Sequence, residues 1–386
     1  AAPKAAAPKA ADSAAAPKAA APKAASKFAA LVAEAKKGNG VARAPLGFHS
    51  DAAVAGLEAA FEERFGFQLK LETEPGHPVR DMPTKITTAA KNQKGVIDTM
   101  LWGNSAVTFP VLEQGFMRKP NWEAVLEEWP GLEELRMMTP AWKTTKGENL
   151  QDYCALAYHG TWVWNYNPRN VTAEEVKNLT TTDLIGPTWK NRVVADERAL
   201  GFYYFPLAKG WSEERLTAWT HNLGANGLKL FPGGSRGVHQ ALLQGEGDIG
   251  LGSPAWDKKQ LGQPIDFVVA EFTTGANPNI SCLPKYGVSG NNPALGELVW
   301  AWDIMEGRRA ISRPPIHYAS AGFLLENVKD DYPLMKELWA KGLRLENLVY
   351  SRTQADGAKV GGWRKIAMDG QKAGINSKKP VPYPYK

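Results

Sequence analysis

The stretch GFHSDAAVAGLEAAFEERFGFQLKLE (Gly47–Glu72) changes its hydrophobic period twice. Leu46–His49 is a short apolar strand candidate. Ser50 or Asp51 can cap a following helix, in which Val54, Leu57, Phe61 and Phe65 recur at near-helical spacing before Gly66 stops it. Phe67–Glu72 then alternates apolar and polar residues, as a half-buried strand does. The rhythm continues with a helix around Asp81–Gln93, strand Val96–Trp102 and helix Val107–Gln114, ended by Gly115. Alternating strands and helices predict an α/β fold with a parallel sheet and helices on its faces.

Further on, YCALAYHGTWVWNYN (Tyr153–Asn167) is a long apolar and aromatic extended stretch, long enough to cross between two lobes. The alternation then resumes. A helix near Thr172–Asn178, strand Arg192–Asp196, helix Ser212–Leu223 and strand Leu228–Phe231 follow. Gly233-Gly234-Ser235 leads into helix Arg236–Gln244, then strands Asp248–Gly252 and Ile265–Phe272. A second crossing is expected within Ala270–Pro284, and the C-terminal third reads mainly as helix, with Ala294–Arg309 and Pro333–Lys341 the clearest segments.

The 386 residues, 44% of them hydrophobic, suffice for two cores. No apolar run approaches the ~18 residues of a spanning helix. No signal peptide is visible, so an exported protein would here be in processed form. In residues 1–27, five lysines (Lys4, Lys9, Lys18, Lys23, Lys27) stand against Asp12 within an Ala-Pro-Lys repeat. That surplus of four leaves the rest with about two of the formal +6, which argues against a nucleic-acid groove. The repeat reads as a semi-extended basic spacer, and Phe28–Lys37 as a short helix after it. Cys154 and Cys282 are either two buried thiols or one disulfide formed in an oxidising compartment.

The order of these phrases resembles the family 1 extracellular solute-binding proteins, the type II periplasmic binding proteins that include the ferric-ion binders. The likeness is carried by Gly47–Glu72, GVIDTMLWGNSAVTFPVLEQGFM (Gly95–Met117), WNYNPRNVTAEEVKNLTTTDLIGPTWKNRVVADE (Trp164–Glu197), Gly234–Glu271 and Asn291–Ile311. It implies two α/β lobes, two crossing hinge strands and a ligand cleft between the lobes. On this reading residues 1–40 are a disordered spacer, 41–155 with 283–386 a discontinuous first lobe, and 156–282 the second lobe. It further implies a monomeric, non-catalytic receptor in the periplasm or on the extracellular side of a bacterial membrane, with the spacer as a tether. Such a receptor takes a small-molecule solute, delivers it to an ABC transporter permease, and needs no cofactor or nucleic acid.

In open α/β sheets ligands sit beyond strand C-termini beside helix N-termini. His49-Ser50 faces such a cleft or merely caps a helix. Trp102-Gly103-Asn104-Ser105 reads as a loop past its strand, offering an aromatic face and polar donors. Thr161 and Trp162 lie just past the first crossing; Trp162 is a ligand face or a core residue. Arg198 follows a strand and either clamps an anionic group or makes a surface ion pair. Ser235 and Arg236 open a helix after two glycines, and Trp256 follows another strand. Where ferric binders carry adjacent tyrosines, this chain has Pro254-Ala255-Trp256-Asp257, and Gly103-Asn104-Ser105 replaces an expected acidic ligand. Only His49 fits the metal pattern, and Tyr203-Tyr204 stand at a non-matching position. A trivalent cation wants several anionic oxygens. The expected solute is therefore small, polar and organic, bearing an anionic group or, against the Trp faces, an amine or quaternary ammonium, with a ferric or other metal ion as the alternative. A basic-tailed nucleic-acid binder is the reading from another class. No G-x-S-x-G, P-loop, H-E-x-x-H or G-x-G-x-x-G motif suggests an enzyme.

Overall fold

The computed structural model describes residues 26–45, 51–75, 81–99, 101–269, 273–307, 319–320, 333–344, 348–349 and 353–385. Helix α1 (Lys27–Ala35), strand β1 (Val41–Ala44), helix α2 (Asp51–Phe65) and strand β2 (Lys70–Thr73) come first. Helix α3 (Met82–Ala90), strand β3 (Leu101–Asn104), helix α4 (Ser105–Glu113) and strand β4 (Met117–Arg118) follow, then helices α5 (Trp122–Glu128) and α6 (Leu132–Met138). Strand β5 (Cys154–Tyr166) leads to helix α7 (Ala173–Val176), strand β6 (Val193–Asp196), helix α8 (Glu213–Ala225) and strand β7 (Lys229–Phe231). Next come helix α9 (Ser235–Leu243), strand β8 (Ile249–Gly252), helix α10 (Trp256–Gln260) and strand β9 (Asp266–Val268). Strand β10 (Thr273–Pro284) returns to helix α11 (Pro293–Met305), strand β11 (Ala319–Ser320), helix α12 (Pro333–Ala340), strand β12 (Leu348–Val349) and helix α13 (Gln354–Ser377).

Two long strands join the lobes. At ~3.3 Å per residue the 13 residues of β5 span roughly 40 Å. Its first half pairs antiparallel with β10, from Cys154 opposite Cys282 to Trp162 opposite Thr274. Its last four residues, Val163–Tyr166, pair antiparallel with β8, and Trp164–Tyr166 with β9 on the other side. In the second lobe β6 lies parallel to both β7 and β8. In the first, β1 and β2 are parallel, and β3 and β4 run antiparallel to β10. The α/β, two-lobed expectation with two crossing strands holds.

Each lobe has helices on both faces of its sheet, and strand alternation sorts the side chains between them. In β6, Val193 and Ala195 enter a core with Trp219, Phe202 and Trp363, while Val194 enters one with Val238, Ala241 and Ala255. The first lobe buries Leu57, Phe61, Trp300 and Trp302 on one side. On the other it buries Ile86, Phe109, Trp142, Ile280 and the cysteines. Cys154 and Cys282 form a disulfide between directly opposed residues of the crossing strands, closing a loop across a sequence separation of 128.

Four expectations need correction. The spacer does not extend to residue 40: α1 buries Leu31 and Ala35, and Phe28 sets its ring edge-on to Trp129 at 5.2 Å. Residues 1–25, with most of the lysine repeat, lie outside the described residues. Residues 96–99 form no strand, because the Asp98 carboxylate takes the Arg43 N–H (2.8 Å) and the Val288 N–H (2.6 Å) that a ladder would use. Trp102–Asn104 is not a loop but strand β3 itself, drawn into the sheet by pairing with Asn279–Ser281. The C-terminal segment expected in the first lobe also reaches the second: α13 packs along α8. A Cβ on Gly374 would lie 1.9 Å from the His221 carbonyl oxygen, and one on Gly370 2.2 Å from Thr220 Oγ1, so glycine lets the two helices touch. The tail is then held by Asn222, which brackets the Val381 N–H (2.7 Å) and C=O (3.0 Å). Arg215 donates to Tyr383 Oη (3.0 Å) while lying over the rings of Trp211 and Tyr385.

Two outcomes follow from this packing. Replacing both Cys154→Ser and Cys282→Ser should lower unfolding stability by about 2–5 kcal/mol, as for loss of a native disulfide. Equal denaturation midpoints for variant and parent would contradict it. The second concerns Asp266, whose Oδ1 accepts from Lys259 Nζ (2.9 Å), the Phe267 N–H (2.7 Å) and Lys341 Nζ (3.0 Å). Burial pushes its pKa up, but these hydrogen bonds outweigh burial and hold it below the ordinary value. A carboxylate depressed in the fold stabilises above its unfolded pKa of about 3.9, and that contribution is lost as pH falls through the folded value. Asp266→Asn should therefore be less stable near neutrality and lose less on acidification than the parent, in melting curves taken from pH 7 down to about 3.

Candidate functional site

The second lobe brings two of the expected site residues, Arg198 and Ser235, together where β6 and β8 end and α9 begins. Asp196, the last residue of β6, is 1% exposed. Its Oδ2 accepts the Gly234 N–H (2.7 Å) and Arg198 Nη2 (3.2 Å), and its Oδ1 the Arg198 N–H (3.0 Å) and Nε (2.9 Å). The carboxylate thus folds the Arg198 side chain back over the first turn of α9. Gly234 sits at φ +67°, and a Cβ there would lie 2.9 Å from Arg198 Nη2. Both the backbone angle and the guanidinium require glycine. The hydrogen bond with Asp196 raises the Arg198 pKa above its ordinary value, against the opposing effect of burial. Its side chain stays 44% exposed, and Nη1 is engaged by no described residue.

A second network orients Ser235. Its Oγ accepts the Ser253 N–H (2.9 Å), which leaves its own proton to donate elsewhere. The Ser253 carbonyl accepts from Asn165 Nδ2 (3.0 Å) and is met by His239 Nε2 at 2.8 Å. A carbonyl can only accept, so that His239 nitrogen carries the proton. Asn165 Oδ1 accepts the Ala255 N–H (2.9 Å), which locks the turn after β8. Trp162 packs on the Trp164–Trp219 core, where a Cβ on Gly201 would lie 3.4 Å from its ring. Its indole Nε1 is buried and has no partner, a donor left over in the half-buried ring. Arg198, Ser235 and the first N–H groups of α9 make this corner rich in donors, suited to an anionic group.

The other expected residues lie elsewhere. Arg236 is the exposed second residue of α9. Thr161 lies in β5 opposite Gly275, and Trp102, Gly103 and Asn104 lie in β3 of the first lobe. Trp256 heads α10 and packs on the core that contains Phe267 and Trp300, whereas Trp162 packs on that of Trp164 and Trp219. His49 and Ser50 are outside the described residues. Tyr203 and Tyr204 are buried in the second core with rings 4.5 Å apart. Among the described residues no group of three His, Cys, Asp or Glu side chains could hold a metal ion. Among them, too, no helix is long and apolar enough to cross a membrane. The organisers Asp196 and Asn165 are not among the expected site residues. Asn165 did carry a signal, since a polar residue inside an apolar strand must find partners when buried.

No protein-family model matches the chain, and no curated protein matches it significantly. Solved structures do. One is a Bordetella parapertussis protein designated as an extracellular solute-binding protein, with TM-score 0.61, 12% identity, and coverage of 85% of this chain and 98% of that one. Another is the apo ferric ion-binding protein A of Pasteurella haemolytica, with TM-score 0.54, 13% identity, and coverage of 86% and 96%. A third is the substrate-binding protein of an ABC transporter from Agrobacterium tumefaciens, with TM-score 0.54, 15% identity, and coverage of 85% and 95%. The chain has the type II periplasmic binding protein fold.

Asp196→Asn presents an amide N–H₂ where two N–H donors now converge, so one buried partner is left unsatisfied. Stability should fall by about 1–3 kcal/mol. Arg198 should lose its fixed rotamer, seen as broadening of its Nε–H resonance. A variant with unchanged stability and a sharp resonance would show that Asp196 does not hold the arginine.

Proposed function

We propose that this protein is the solute-binding component of an ABC uptake system, a non-catalytic receptor that closes on a small polar organic solute bearing an anionic group. The observation that carries the reading is the meeting of Arg198 and Ser235 at the start of α9, on either side of Gly234. An unengaged guanidinium nitrogen, a hydroxyl proton and helix N–H groups complement a carboxylate or phosphonate, while the half-buried Trp162 ring suits the organic remainder. The solute passes to a membrane permease, and the protein works in the periplasm or on the outer side of the membrane. Solved proteins of this fold include a GABA receptor and one in complex with agropinic acid, which fits a scaffold whose solute is set by side chains in the cleft. The lobes divide as 27–155 with 283–349, and 156–282 with 354–385.

The test is a thermal-shift panel of amino acids, carboxylates, phosphonates, polyamines, sugars and ferric ion. A solute present at about 100 times its dissociation constant stabilises the native state by about 2.7 kcal/mol. An anionic organic solute should give such a shift, Arg198→Ala should abolish it, and Trp162→Ala should weaken it. A full shift with Arg198→Ala would remove the site, a shift with ferric ion alone would favour the metal alternative, and turnover of the solute would overthrow the receptor.

A further inference from the structure

Helix α13 touches both lobes within two turns. Near its start, Gly357 lies against Trp142, so closely that a Cβ would sit 2.3 Å from the ring. Trp142 belongs to the first lobe, buried with Phe109 of α4 at a ring separation of 5.6 Å. Six residues later Trp363 is buried in the second-lobe core and donates from Nε1 to Glu213 Oε1 (2.8 Å). The next residue, Arg364, donates from Nε to the Arg198 carbonyl (3.3 Å), at the edge of the candidate site. Beyond it the helix is held along α8 and by the anchored tail.

The two attachments are separated by about 9 Å of helix axis. A stiff helix fixed at both ends would hold the lobes at one angle, which opposes the hinge rotation that the two crossing strands allow. Between the attachments stand Gly361 and Gly362, exposed, with no atom within 4 Å of a Cβ built on either. Neither is needed for close packing, and neither has a positive φ. In a helix interior each is less favourable than alanine, and glycine pairs are among the places where helices bend.

We propose that α13 is a third connection between the lobes and that Gly361-Gly362 is its bending point, setting how far the lobes open. The second-lobe half moves with Arg198, to which Arg364 ties it, and the first turn stays on Trp142. The proposal rests on the two-lobed fold and not on the nature of the solute.

The test measures interlobe distance without solute. Spin labels on Glu63→Cys in the first lobe and Lys190→Cys in the second, both exposed, report it by pulsed electron resonance. The double variant Gly361→Ala/Gly362→Ala meets no steric obstacle, so its melting temperature should equal or exceed the parent's. Its distance distribution should nonetheless be narrower. Gly357→Leu, which wedges the first turn off Trp142 while leaving the second-lobe attachment intact, should broaden the distribution. Distributions identical to the parent's in both variants overturn the proposal, as does a parent with one narrow distance. Loss of the solute shift in Arg198→Ala bears on the proposed solute site and leaves this test unaffected.

Discussion

The antiparallel pairing of β5 with β10 is the interaction on which both lobes depend. Every other strand of the large sheet is reached through one of these two, directly or through β8 and β6. A pair this long fixes its register once, because a slip of one residue would turn every side chain to the opposite face. Cys154–Cys282 holds that register at the first-lobe end. The register then shifts between Ala276 and Asn279, opposite Tyr158–Gly160. A bulge there loosens the ladder and adds twist midway between the lobes, where hinge bending disturbs the fewest paired groups. The strand pair is thus rigid where it is stapled and compliant where its ladder is interrupted.

The same economy of polar groups governs the second-lobe corner. Asp196 is a buried carboxylate, and its isolation would cost several kcal/mol. Arg198 and the Gly234 N–H satisfy it and are positioned by it in return. Since Arg198 is the more exposed partner, its outer nitrogen remains available while its position is fixed from below. Asn165 plays the corresponding part for the turn after β8, and through Ser253 it aims the Ser235 hydroxyl. The exposed donors of this corner are held by side chains that are themselves buried.

This layered arrangement explains what the sequence disclosed. The α/β rhythm was legible because α2 sets Leu57, Phe61 and Phe65 at helical spacing before Gly66 and α9 sets Val238, Ala241 and Leu242 before Gly245, and β5 because a strand of its length has few uses other than crossing. Arg198 and Ser235 were legible as residues at a strand end and a helix start. Asp196 was not, since an acidic residue ending a strand reads as solvent-exposed until its partner 38 residues later, Gly234, is in place. β3 was misread as a loop because glycine and asparagine are poor strand formers, and tertiary pairing with β10 overrides that preference. His49 and Ser50 fall outside the described residues and add nothing to either side.

The C-terminal helix shows the limit most clearly. Its glycines weaken every local indication of a 24-residue helix, yet they do unlike things. Gly370 and Gly374 permit contact with α8 at distances no side chain would tolerate, whereas a Cβ on Gly361 or Gly362 would meet no other described residue within 4 Å. From sequence alone the two pairs are indistinguishable, because their meaning lies in a helix more than a hundred residues away. Once α8 is in place the difference is physical: one pair gains packing that offsets its entropic cost, and the other keeps the cost uncompensated. An uncompensated cost located between two lobe attachments is what a bending point requires, since flexibility there cannot coexist with tight packing.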